Sequence, residues 1–159
     1  MAYETTAVPI ERSKEAIRKL LIVAGVRGVQ FTEEFDSGAI NIKFAKEVDG
    51  NLRTVSITLQ VPEPEQPKRR RRMRNGQYRA NTDLREQSTK ATYRALHYWL
   101  KSQFEAVEFG LLSYEDVFLS HFEWLLENGQ RTTVGKMVLP MLGGGENLLP
   151  GPRGDIIDV

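Results

Sequence analysis

Apolar residues near the start of the chain recur with the spacing of a helix. Between Ala16 and Ala24 they return every three or four positions, behind Ser13, a residue type that can cap a helix. Gly25 follows and can adopt the left-handed conformation that ends such a helix. The pattern predicts an N-terminal helix.

After this helix, apolar and polar residues alternate along the chain, a pattern that is typical of half-buried strands. Three segments carry a strand pattern, 28–35, 40–45 and 54–61, and turn residues separate them at Asp36-Ser37-Gly38 and Val48-Asp49-Gly50-Asn51. Asp-Gly between alternating segments is a strong hairpin signal. These features predict a three-stranded antiparallel meander.

The third predicted strand has one polar face, which carries hydroxyl and amide side chains. Its members are Thr54, Ser56, Thr58 and Gln60. We interpret this face as solvent-exposed, with the alternative that its hydroxyls contact the backbone of a nucleic acid.

Helical spacing returns in the second half of the chain. A long helix is predicted from Asp83 to Phe109, with an apolar face that we expect to cover the sheet: Tyr93, Leu96, Leu100, Phe104 and Val107. Ser113 and Asp116 cap a short helix whose apolar face is Val117, Phe118, Phe122 and Leu125. A second short helix, opened by Thr132 or Thr133, reaches Leu142.

Because strands come early and helices late, the fold class is α+β: an N-terminal helix, a three-stranded antiparallel meander, a basic loop, a long helix and two short C-terminal helices. We predict a single domain over 1–142, with the basic loop at 63–82. Residues 143–159 form a Gly/Pro-rich C-terminal tail.

The composition removes many classes of site. The chain has no cysteine and two histidines, which excludes disulfide frameworks, zinc ribbons, iron–sulfur sites and cysteine nucleophiles. We expect no cofactor, no metal and no enzymatic activity. The start of the sequence lacks a signal-peptide pattern and no apolar run suits a membrane span, so we expect a cytoplasmic protein without membrane contact.

The net charge of +1 hides a strong asymmetry. Residues 66–101 contain eleven basic and two acidic residues, a formal charge of +9, whereas the rest of the chain sums to −8. Such a distribution favours an anionic partner, above all nucleic acid. A solvated loop, a subunit contact and a targeting signal are the alternatives.

The candidate nucleic-acid-binding residues follow from this window. Arginine makes forked contacts with phosphate oxygens. The predicted phosphate contacts in the loop are Lys68, Arg69, Arg70, Arg71, Arg72, Arg74 and Arg79. The predicted extension along the helix is Arg85, Lys90, Arg94 and Lys101, with His97 in the same stripe. Tyr78 either stacks on an unpaired base or packs on the sheet.

Several segments outside the loop carry a resemblance. They are Val8-Pro9-Ile10-Glu11-Arg12-Ser13, Tyr93-Arg94-Ala95-Leu96, Phe104-Glu105-Ala106-Val107-Glu108-Phe109-Gly110, Tyr114-Glu115-Asp116-Val117-Phe118-Leu119-Ser120-His121 and Arg131-Thr132-Thr133-Val134-Gly135. Together they resemble a family of small, mostly uncharacterised proteins encoded by bacteriophages and prophages. The resemblance implies a viral protein in a host cytoplasm and implies no catalytic residues. The arginine run is heavier here than in the family pattern.

The order of elements is also similar to the core of the single-strand annealing proteins of phage recombination. Those proteins form rings that hold single-stranded DNA in an outer basic groove, and the likeness is one of fold only. The acidic and apolar end of the tail, 154–159, loosely resembles the tails by which bacterial single-stranded-DNA-binding proteins recruit partners. The alternative is a tail that pairs with its own body or a neighbouring subunit.

The sequence therefore predicts a non-catalytic protein that binds nucleic acid, with single-stranded DNA favoured, for binding or annealing in replication or recombination. We expect a homo-oligomer, because one flexible basic loop binds weakly alone. The second hypothesis is an assembly protein whose arginine run meets acidic protein surfaces. The third is a metal-dependent nuclease, for which Asp36, Glu47 and Asp49 are the nearest carboxylates.

Overall fold

The computed structural model describes residues 3–63 and 81–142. The first half of this part contains the helix α1 (Ile10–Val23) and the strands β1 (Gly28–Glu34), β2 (Ala39–Val48) and β3 (Asn51–Gln60). The second half contains the helices α2 (Asn81–Glu108), α3 (Tyr114–Phe118) and α4 (Val134–Leu142), a 3₁₀ turn at Leu119–His121, and the strands β4 (Glu123–Leu125) and β5 (Arg131–Thr133). The predicted α+β fold class is confirmed.

The first three strands form the expected antiparallel meander in the order β1-β2-β3. Val48 pairs with Asn51, so Asp49 and Gly50 alone make the turn. Their φ angles of 50° and 77° are both positive, as a two-residue hairpin turn of this hand requires. The Asp-Gly signal in the sequence therefore fixes the register of β2 against β3.

Helices α1 and α2 cover one face of this sheet. Ile42, Phe44 and Val55 of the sheet are almost fully buried, as are Ile17 of α1 and Leu100 of α2. The apolar face predicted for α2 lies in this core, with Val107 only partly buried at its end. α1 begins at Ile10, before the predicted Ser13 cap, because Ile10 adds one more apolar residue against the core.

The C-terminal part differs from the prediction in one respect. Ser113 and Asp116 form the expected capping box of α3. The predicted continuation of that helix through Phe122 and Leu125 is wrong, because the backbone of Phe122 bridges to Val55 of β3 and the chain turns into β4. β4 and β5 form a small hairpin, and α4 follows it, as predicted, to Leu142.

Two predicted features fall beyond the described residues. They are most of the basic loop, since 64–80 is not described, and the C-terminal tail 143–159.

Candidate nucleic-acid interface

The predicted binding residues divide into two groups. Lys68, Arg69, Arg70, Arg71, Arg72, Arg74, Tyr78 and Arg79 lie outside the described residues. Arg85, Lys90, Arg94 and Lys101 all lie on α2, the helix that the basic segment leads into. The geometry of the interface can therefore be built from α2.

Lys90, Arg94 and Lys101 share one side of α2, since steps of four and seven residues return to nearly the same direction on a helix. Lys90 is paired with Glu86 at 2.7 Å, and the contact of Lys101 with Glu105 is looser, at 3.7 Å. Both pairs are partly exposed and hold their cations weakly.

Arg94 makes a different contact, with an aromatic ring. Its guanidinium carbon lies 4.7 Å from the centre of the Tyr98 ring, and one of its nitrogens donates to the Tyr98 hydroxyl at 2.8 Å. The cation–π contact and the hydrogen bond together hold the guanidinium next to the Tyr98 ring. The arrangement places a planar cation and an aromatic side chain next to each other.

Tyr3 extends this arrangement from the N-terminal segment. Its ring is stacked on Tyr98, with ring centres 5.3 Å apart and planes 9° from parallel, and the two tyrosines remain 38% and 39% exposed. We call Arg94, Tyr98 and Tyr3 the cation–aromatic stack. Neither tyrosine was predicted from the sequence as part of this surface. The available signal was Tyr98 standing one helical turn after Arg94.

His97 adds no charge to this surface. Burial lowers its pKa, and the neighbouring charges of Arg94 and Lys101 lower it further. Its Nδ1 atom is buried and has no hydrogen-bond partner within the described chain. His97 is thus neutral at physiological pH, and it packs edge-on against Tyr98 at 5.1 Å.

Arg85 lies elsewhere on the helix. Its position is about 140–180° around the axis from Lys90 and Arg94. The side chain reaches the turn between β1 and β2, where it donates to the carbonyl of Phe35 at 3.3 Å. The structure therefore brings Lys90, Arg94 and Lys101 together and places Arg85 apart from them.

The outer face of the sheet forms a second polar surface. Its central residues line a groove of about 630 Å³, which the β4–β5 hairpin and α4 border on one side. The Asn41 amide donates to the hydroxyls of Ser56 and Thr58 at 3.1 and 2.9 Å. These groups satisfy one another, as the side chains of an ordinary polar surface do.

Glu123 links the sheet to the β4–β5 hairpin at the border of this groove. Its carboxylate lies 2.5 Å from Lys43 Nζ on β2 and 3.0 Å from Arg131 Nη1 on β5. Burial raises the pKa of Glu123, but hydrogen bonds from the two cations outweigh it, and the pKa lies below its usual range. One acid therefore pairs with two of the cations of this face, and the cluster keeps a formal charge of +1.

The carboxylates considered for a nuclease do not converge. Asp36 lies in the turn before β2, whereas Glu47 and Asp49 lie at the far end of that strand. Within residues 3–63 and 81–142, no three histidine, aspartate or glutamate side chains are grouped to hold a metal ion.

Comparison of the chain with models of protein families, with curated proteins and with solved structures finds no match. In the described part of the chain, no helix has the length and apolar character that crossing a membrane requires.

Proposed function

We propose that this protein binds single-stranded nucleic acid, with DNA favoured, through its arginine-rich segment and the adjoining face of α2, and that it does so without catalysis. The observation that carries the proposal is the cation–aromatic stack. Its two tyrosines are partly exposed, and Arg94 and Tyr98 lie on the helix that directly follows the seven cations of residues 68–79.

The two parts contribute different interactions. α2 itself carries four basic residues and four acidic ones, so its formal charge is zero. The segment 68–79 carries seven cations and no acid. Electrostatic affinity for phosphates therefore comes mainly from that segment. The cation–aromatic stack, in which Tyr98 already packs against Tyr3 and Arg94, offers its exposed outer surfaces to bases.

The stack favours a single strand over a duplex. Stacking on a protein aromatic ring needs a base whose face is open, and each such contact contributes about 1–3 kcal/mol. The bases of a duplex present only their edges in the grooves. Stacking by Tyr98 and Tyr3 therefore contributes mainly to the binding of an unpaired strand.

The proposed context is a bacteriophage protein that binds or anneals single strands during replication or recombination in a host cytoplasm. One chain offers few contacts, so we propose that copies associate and engage one strand together. The alternative is assembly, in which the arginine segment meets acidic protein. The −8 charge of the remaining chain favours it, because a second copy offers that acidic surface.

The test is binding of a fluorescent single-stranded 30-mer, followed by anisotropy between about 50 and 200 mM salt. We expect tight binding whose logarithm falls with the logarithm of salt, by about 0.7 per phosphate contact. The variant Arg69→Ser/Arg70→Ser should bind less tightly and with a shallower slope.

The matched control is Arg12→Ser/Lys19→Ser, which removes the same charge from exposed positions on α1. It should keep the slope of the wild type. An equal loss of affinity in the two variants would mean that binding depends on net charge alone and not on the arginine-rich segment. Absence of binding at low salt would overturn the proposal and favour the assembly alternative.

A further inference from the structure

Helix α4 is unusually apolar for a helix on the surface. Val138, Leu139, Met141 and Leu142 are 40%, 66%, 74% and 48% exposed, and no residue of α4 is fully buried within the described structure. Contiguous apolar surface of this kind on a folded chain marks an interaction site.

A groove with matching chemistry lies on the same molecule. It runs between β3 and α2 and has a volume of about 1000 Å³. Its apolar lining includes Ile57, Leu59, Ala91, Ala95, Leu96 and Trp99. The two alanines leave room at the surface of α2 where larger side chains would fill it. We call this cleft the apolar groove.

We propose that α4 of one copy of the chain binds in the apolar groove of a second copy. Val138, Met141 and Leu142 follow the spacing with which an amphipathic helix places anchors in a groove. The two surfaces also carry opposite charges. Exposed Lys136 precedes the anchors on α4, and exposed Glu63 lies at the rim of the groove.

The chain's own α4 is held away from this groove by its anchorage. The Val134 amide donates to the Phe122 carbonyl at 3.0 Å, and Gly135 packs against the backbone of Ser120. The helix therefore stays on the 3₁₀ turn of its own copy. A second copy is then the source of an apolar helix that can enter the groove.

The placement of the two surfaces favours a closed dimer. His121 lines both the apolar groove and the polar groove of the sheet, and Leu139 of α4 lines the polar groove. α4 and the apolar groove thus lie on either side of His121, close to the edge of the sheet that β3 forms. A two-fold axis between them lets each helix enter the partner's groove, which makes the contact self-complementary.

The absence of cysteine makes this contact directly testable in the full chain. Met141→Cys and Ala95→Cys are prepared separately, one with a size tag, and mixed under mild oxidation. A mixed disulfide then forms above the level of random collision when α4 of one copy lies in the groove of another. The control mixture is Val23→Cys with Ala95→Cys, because Val23 is 89% exposed on α1.

We expect a cross-linked heterodimer from the first mixture at a yield several times that of the control. Sedimentation of the wild type should show a dimer that Met141→Glu/Leu142→Glu dissociates and that Val23→Glu leaves intact. Circular dichroism of each variant verifies that it is folded. Charge reversal gives a second test. Lys136→Glu should weaken the dimer, and adding Glu63→Lys to that variant should restore it.

A wild type that sediments as a monomer overturns the proposal. Removal of 143–159 then shows whether the chain's own tail covers the helix. A dimer that the α4 substitutions do not affect overturns it too, because the interface then lies elsewhere. The proposed association of copies on one strand shares this contact, but none of these measurements uses nucleic acid, so failure of the dimer and failure of strand binding are distinguished.

Discussion

The Tyr93 hydroxyl, on a side chain that is 1% exposed, donates a 2.8 Å hydrogen bond to the Glu33 carboxylate. The same carboxylate oxygen lies 2.6 Å from Lys14 Nζ, which also stands over the Tyr93 ring at 5.1 Å. Glu33 therefore joins β1, α1 and α2 at one point. It occupies a position of β1 that alternation with Val29 and Phe31 directs toward the helices.

Substitution Glu33→Gln should destabilise the protein. It removes the closer of the two anionic partners of Lys14, leaving only the exposed Glu11 at 3.4 Å, and it weakens the bond from Tyr93, at a cost of about 1.5–3 kcal/mol for hydrogen bonds to a charged group. Urea unfolding measures the loss. Glu34→Gln is the control, since Glu34 is exposed on the opposite face, and it should change stability by less than about 0.5 kcal/mol. Equal effects would mean that the contact contributes nothing specific.

The same contact predicts a pH dependence. The hydrogen bond from Lys14 is the main cause that lowers the pKa of Glu33 below its ordinary value of 4.5, against the opposing effect of burial. A group with a depressed folded-state pKa adds stability above its unfolded pKa and loses it as pH falls through the folded one.

The stability difference between wild type and Glu33→Gln should therefore be constant near neutral pH and shrink below about pH 4.5. Unfolding curves at a series of pH values measure it. A difference that is unchanged down to about pH 3 would exclude the ionised carboxylate as its source.

The fold was predictable because it depends on periods and turns. Alternation and Asp49-Gly50 gave the meander, and the face of Tyr93, Leu96 and Leu100 gave the helix that covers it. The β4–β5 hairpin was not predictable from these signals. Phe122 suits the helical period, and only its pairing with Val55, a contact between distant parts of the chain, ends the helix.

The cation–aromatic stack gives the most direct prediction for binding. Tyr98→Ala removes the central ring and should weaken single-strand binding by about 1–3 kcal/mol, roughly 5–150-fold. Tyr98→Phe should keep most of the affinity, because the ring remains and only the hydrogen bond from Arg94 is lost. Anisotropy with the single-stranded 30-mer measures both.

Phe109→Ala is the control for that series, since Phe109 is an aromatic residue 81% exposed just after α2. Its substitution should leave the affinity unchanged. A Tyr98→Ala protein that binds as tightly as the wild type would place the strand away from this face of α2.

Of the cation–aromatic stack, Arg94 was predictable from the sequence and the two tyrosines were not. Lys90, Arg94 and Lys101 were identified because their spacing returns to one helix face. Tyr98 lies beside that stripe, and Tyr3 arrives from a segment about ninety residues away in the chain. Periodicity describes one element at a time, so it cannot report a contact between two.

Glu123 should be important for the position of the C-terminal hairpin. Its side chain is 9% exposed and binds Lys43 and Arg131 on different strands. Glu123→Gln should cost about 1.5–3 kcal/mol and raise amide exchange in β5, because the hairpin loses its charged link to the sheet. Glu127→Gln, at an exposed position of the hairpin turn, is the control. Unchanged exchange in β5 would show that the strand pairing alone positions it.

Gly135 provides the sharpest test of how α4 is seated. A Cβ at this position would lie 2.8 Å from the backbone carbonyl oxygen of Ser120, a distance at which the backbone must move. Within a helix, alanine is normally more stable than glycine by about 0.5–1 kcal/mol. Here the clash should reverse the sign, so that Gly135→Ala lowers stability by about 1–3 kcal/mol. Thermal unfolding of Gly28→Ala, where the added Cβ meets nothing within 4 Å, gives the reference value.

Because a displaced α4 also moves its anchors, Gly135→Ala should lower the yield of the disulfide between copies. Stabilisation by Gly135→Ala would mean that α4 does not rest on Ser120.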